Sequence, residues 1–143
     1  MTKTMPRCVL TALFCGTFLG CGSSSPFDYD QVTGRVAYED GSLLPAASFK
    51  LRFEAQDAPQ VENAFPRPGL ANVNSEGVFD CVTSYKYGDG LIPGRHKVAI
   101  EIAPRPGGKL LIPKVYTSIA TTPLEIDTEN APLEIKVPKP QGI

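Results

Sequence analysis

The side chains able to do chemistry are few and poorly spaced to cooperate. The chain has one histidine, His96, no tryptophan, and four cysteines at positions 8, 15, 21 and 81. A zinc site needs several His, Cys or carboxylate ligands, and a nucleophilic triad needs a base beside an activated hydroxyl or thiol. His96 has no second histidine as a partner, and neither a Gly-x-Ser-x-Gly elbow nor a Cys-x-x-Cys pair occurs. Gly88-Asp89-Gly90 has the composition of a phosphate cradle, but no helical periodicity follows it, so it reads as a loop. Asn72, Asn74 and Glu76 offer oxygen ligands at alternate positions, short of the carboxylates and the bidentate Glu of a calcium loop. The expectation is therefore no catalytic residue, no metal site and no cofactor. With 14 basic against 15 acidic side chains there is also no basic excess for nucleic acid.

Cys21 is the cysteine with a chemical setting. Lys3 and Arg7 form a short basic region, Val9 to Leu19 is apolar, and Gly20 stands just before Cys21. That order marks an export signal. The apolar run falls short of the roughly 20 residues that span about 30 Å of hydrocarbon, and Thr11, Gly16 and Thr17 interrupt it. Phe18-Leu19-Gly20-Cys21 resembles the lipobox of bacterial lipoproteins, in which a small residue precedes the cysteine that becomes the acylated start of the mature chain. Phe18 and Leu19 depart from that pattern, where Leu and a small residue are commoner. The resemblance implies a cleaved signal over 1–20 and lipid on Cys21, the chain's link to a membrane. Gly22, in place of an inner-membrane retention Asp, favours the outer membrane. The alternative is an ordinary secretory signal cut near Gly20 or Gly22. Loss of Cys8 and Cys15 with the signal would leave Cys81 as the one free thiol, without a disulfide partner. Its phase with Phe79 reads it as a small buried hydrophobe.

Beyond the signal, residues 21–29 read as a flexible tether, because Gly22-Ser23-Ser24-Ser25-Pro26 is small, polar and unpatterned. About eight residues could reach about 25 to 30 Å when fully extended. From residue 30 to 143 the apolar residues recur with a period of two. Val32, Val36 and Tyr38 share one face, and Phe49, Leu51 and Phe53 alternate with Lys50, Arg52 and Glu54. Further runs at Leu70 to Val73, Val78 to Thr83, His96 to Ile102, Leu124 to Asp127 and Leu133 to Val137 make seven expected strands, separated by Gly, Pro, Asn and Asp clusters. No sustained helical periodicity competes. The expected fold is all-β, a seven-stranded antiparallel sandwich of two sheets, large enough to fold without disulfides. His96 falls in phase with Val98 and Ile100, so its ring should cap the inner face.

Val32-Thr33-Gly34-Arg35-Val36, Asp40-Gly41, Asn74-Ser75-Glu76-Gly77-Val78-Phe79 and Gly88-Asp89-Gly90-Leu91-Ile92-Pro93-Gly94-Arg95-His96-Lys97-Val98 follow one another in an order similar to the carboxypeptidase-regulatory-like, transthyretin-like domain. Pro113-Lys114-Val115-Tyr116, Thr121-Thr122-Pro123-Leu124 and the alternating Leu133, Ile135 and Val137 resemble the closing motifs of small planctomycete lipoproteins that carry such domains. The likeness covers about 30–137 and implies a prealbumin-like or Ig-like sandwich without catalysis. The transthyretin-like hydrolases of purine breakdown end in Tyr-Arg-Gly-Ser, whereas this chain ends Lys139-Pro140-Gln141-Gly142-Ile143.

What remains to act is a surface. If the strands alternate in direction, the tether and the 55–69 and 84–94 loops share one end and the remaining loops the other. Phe65, Arg67, Tyr85, Tyr87, Leu91 and Ile92 would then cluster at the membrane-facing end, either as the aromatic and Arg material of a contact site or as loops folded back to cover the end of the sandwich. The expected function is that of a lipid-anchored, non-enzymatic envelope protein with a structural or binding role toward an envelope protein or glycan. A soluble periplasmic carrier holding a small apolar ligand between its sheets is the alternative.

Overall fold

Alternation of apolar and ionic residues builds the sheets. The computed structural model describes residues 25–141. Within them lie β1 (Gly34–Tyr38), β2 (Phe49–Ala55), β3 (Gly69–Val73), β4 (Val78–Phe79), β5 (Arg95–Glu101), β6 (Glu125–Asp127) and β7 (Leu133–Val137). In β2 Phe49, Leu51 and Phe53 are buried while Lys50, Arg52 and Glu54 are exposed, and β3 and β7 alternate in the same way. Successive side chains of a strand point to opposite faces, so each ribbon has a dry side and a wet one. Helix among the described residues is limited to two 3-10 turns, Lys114–Thr117 and Thr128–Asn130.

Two sheets result, ordered β4-β1-β7 and β3-β2-β5-β6. The four-stranded sheet is antiparallel throughout. In the three-stranded sheet β1 pairs antiparallel with β4 but parallel with β7, which corrects the wholly antiparallel expectation. Successive strands do alternate in direction. In an odd series the first and last run the same way, so their pairing side by side has to be parallel. The dry faces meet in a single cluster that joins Val36, Phe79, Ile135 and Val137 from one sheet to Leu51, Phe53, Val98 and Ile100 from the other. At its centre the rings of Phe53 and Phe79 stand 6.1 Å apart at a tilt of 52°, a geometry aromatic pairs favour.

The strand expected over Val78 to Thr83 is shorter. After Phe79 the chain leaves β1 and crosses to the other sheet, where Thr83 and Leu70 exchange backbone hydrogen bonds of 2.8 and 2.9 Å. The crossing shifts the phase, so Val82 is fully buried and Cys81, expected in the core with Phe79, is half-buried. The turn before β4 also accounts for Asn74, one of the residues considered as metal ligands. The Asn74 side-chain oxygen accepts from the Glu76 and Val78 N–H groups, both at 3.0 Å, and Gly77 takes the positive φ of 76° that closes the turn.

The connection between β5 and β6 adds core that has no strand periodicity. Leu111 and Ile112 are buried there. The Tyr38 hydroxyl donates to the Leu111 carbonyl at 2.7 Å, and burial raises the pKa of that phenol against the opposing charges of Arg105 and Lys139. Thr122 donates to the Val98 carbonyl at 2.7 Å, and the Lys114–Thr117 turn packs on β5. Ala99 is therefore buried although its parity faces outward.

Leu51 and Ile100 are fully buried. Leu51→Ala and Ile100→Ala should each lower stability by about 2 to 5 kcal/mol through the cavity left behind. Lys50→Ala on the wet face should stay within about 0.5 kcal/mol, and urea unfolding midpoints compare the three.

Candidate functional site

Strand direction decides which loops share an end. β2 and β6 run toward the end where residue 25 lies, and β1, β3, β5 and β7 run away from it. The 55–69 and 84–94 connections therefore gather with residues 25–29, as expected. The link from β6 to β7 lies there too, not at the far end where the remaining loops were expected. The Gly94 N–H donates to the Thr128 hydroxyl at 3.0 Å, and the Leu133 N–H donates to the Thr33 carbonyl at 2.8 Å.

Residues 1–20 and Cys21 lie outside the described residues, and of the tether 25–29 are described. The Ser25 and Tyr29 hydroxyls stand 3.1 Å apart, and the Phe27 N–H donates to the Ser25 hydroxyl at 3.2 Å. Asp30 and Leu91 then exchange backbone hydrogen bonds of 2.7 and 3.0 Å. Pro26, Phe27 and Asp28 face Pro59, Val61, Ile92 and Pro93 across a groove of about 340 Å³.

The six residues expected to form a contact surface divide. Leu91 and Ile92 are not at the surface, with exposures of 1% and 5%. Pairing with Asp30 lays this part of the loop against the body, and the Leu91 side chain sits over Gly69. The other four stay outside. Phe65 is 66% and Tyr87 91% exposed, and the Arg67 guanidinium lies 5.0 Å above the half-buried Tyr85 ring, within cation–π range. Val61 and Leu70 add exposed apolar surface at the same end. Leu70 is exposed because β3 turns its alternate positions outward.

Gly88-Asp89-Gly90 works as a clamp. The Asp89 carboxylate accepts from the N–H groups of Ser84 at 2.8 Å, Tyr85 at 2.9 Å and Lys86 at 2.7 Å, and the Ser84 hydroxyl donates to the Gly90 carbonyl at 2.7 Å. Desolvation pushes the Asp89 pKa upward, but the backbone donors together outweigh it and hold the carboxyl below its ordinary range. The donors that a bound phosphate would need are thus occupied by the loop's own carboxylate. Gly90 has a φ of 105°, and a Cβ there would collide with the Asp30 carbonyl. Beside the clamp, a hydrogen bond with Cys81 raises the Tyr87 phenol pKa.

His96 is buried at 2% exposure in phase with Val98 and Ile100, and its Nδ1–H donates to the Gly94 carbonyl at 3.1 Å. Desolvation lowers its pKa against the opposing pull of that carbonyl and Asp127. The ring has a structural hydrogen bond. Among the described residues no three His, Cys, Asp or Glu side chains are grouped to hold a metal ion, and no helix is long and apolar enough to cross a membrane. Comparison with family models, with curated proteins and with solved structures finds no match.

Gly90→Ala should destabilise the fold by about 1 to 3 kcal/mol, since both φ and the Asp30 approach disfavour a side chain; loss of the thermal midpoint relative to Gly88→Ala checks it. His96 gives a pH prediction. Its folded pKa is depressed, so its neutral form contributes stability above about pH 6.5 that is lost as pH falls through the folded value. The thermal midpoint of the wild type should fall from pH 7 to pH 5, and His96→Phe should flatten that slope.

Proposed function

We propose that this chain is a lipid-anchored β-sandwich protein of a bacterial cell envelope. In this reading residue 21 is acylated after removal of the signal, and the body is held on the extracytoplasmic side, with the outer membrane the favoured location. Its role is non-enzymatic, in envelope structure or in holding an envelope protein or glycan by its loops. The lipobox-like Phe18-Leu19-Gly20-Cys21 carries the reading, and the placement of Ser25 and the aromatic loops at one end of the body supports it. The order of turn motifs from Val32 to Val98 supports the finer assignment, a prealbumin-like sandwich of the carboxypeptidase-regulatory-like, transthyretin-like kind, as found in small planctomycete lipoproteins.

A carrier would need room for a small apolar ligand between the sheets. Phe53, Phe79, Leu51 and Ile100 occupy that space with no exposed surface, which favours a body that acts through its exterior.

The anchor is tested by fatty-acid labelling in a bacterial host. Wild-type protein should incorporate label and fractionate with membranes, and Cys21→Ala should lose both. Equal labelling of the two proteins would overturn the proposal.

A further inference from the structure

We propose that the end of the body bearing residue 25 is itself a membrane-contact surface, with Phe65 and Tyr87 seated at the headgroup level of the bilayer that holds the anchor. The inference rests on the anchored reading above and adds a second, side-chain attachment to it.

Reach comes first. Four residue steps separate Cys21 from Ser25, and an extended chain covers at most about 13 to 14 Å over that length. Ser25 belongs to a segment already tied to the body through the Ser25–Tyr29 contact and the Asp30–Leu91 pair. Acylation at residue 21 therefore brings this end, and not the opposite one, against the lipid surface.

Exposure points the same way. Phe65 and Tyr87 are the most exposed large hydrophobic residues among those described, at 66% and 91%, and both sit at this end. At the opposite end Leu43 and Leu110 are only 40% and 38% exposed and are aliphatic. Aromatic side chains with an apolar body favour the boundary between headgroups and acyl chains. The Asp89 clamp fixes the loop carrying Tyr87, and the Arg67–Tyr85 stack lies beside Phe65 in sequence. The groove between Phe27 and Val61 opens at the same end.

Charge selects the lipid. Arg67 and Lys86 are offset here by Asp28, Asp30 and Glu62, and Arg95 is paired with Asp57 at 2.8 Å. No basic cluster is present to draw in anionic headgroups. The partner is a neutral, zwitterionic phospholipid surface, engaged through aromatic burial.

The chain's lack of tryptophan supplies the test. The full mature protein, acylated at residue 21, is prepared as F65W, Y87W and L110W and bound to phosphatidylcholine vesicles. The expected result is at least twofold quenching of the F65W and Y87W indoles when the acyl chains are brominated, with L110W unchanged and the signals insensitive to 1 M salt. If acylated protein floats with the vesicles but F65W and Y87W fluoresce like L110W, the contact is overturned and the anchor stands. Indoles that shift to the blue yet escape bromine are covered by another copy of the chain or a protein partner, which also overturns lipid contact. An unacylated residue 21 by mass spectrometry overturns the anchor and this inference with it.

Discussion

The fold depends on one apolar seam, where Phe79 of the small sheet meets Phe53 of the large one. Cys81 is the one free cysteine among the described residues and forms no crosslink, so burial of side chains between the sheets holds them together. Gly34 shows how closely the seam is fitted. A Cβ at that position would meet both the Phe79 ring and the Leu133 carbonyl. Small size at residue 34 is thus part of the same contact that places a bulky ring at residue 79.

From that seam the arrangement of the ends follows. Seven strands of alternating direction deliver three connections and the incoming chain to one end. Parallel pairing of β1 with β7 completes the small sheet, and antiparallel pairing of β6 with β5 brings the Thr128–Asn130 turn alongside Gly94. Backbone hydrogen bonds and one carboxylate then fix that end, leaving aromatic rings outermost. The interior is spent on packing, and the exposed loops are where chemistry with the surroundings can occur.

Much of the fold was legible because period-two alternation is a local signal. Phe49, Leu51 and Phe53 announce β2 without any knowledge of their partners, and His96 could be placed on the inner face by phase alone. The seven strands follow from such local cues. What escaped depends on distant contacts. The phase shift that buries Val82 and half-exposes Cys81 arises where the chain changes sheets to pair Thr83 with Leu70. Leu111 and Ile112 enter the core from a loop whose pattern contains no strand. In the candidate site, Phe65, Arg67, Tyr85 and Tyr87 could be grouped from loop order, but the inward turn of Leu91 and Ile92 is dictated by Asp30, about sixty residues earlier.

β1 follows the bridged Asp30 by four residues and lies between β4 and β7. Under the proposed anchoring, tension on the chain ahead of residue 30 acts along the axis of this strand. The ladders on both flanks are then loaded in shear and must slide as a group, while the Asp30–Leu91 bonds brace the point where force enters. Such a strand does not peel away one bond at a time. The same hydrogen bonds that order the sheet would thereby serve as a mechanical clasp between the incoming chain and the body.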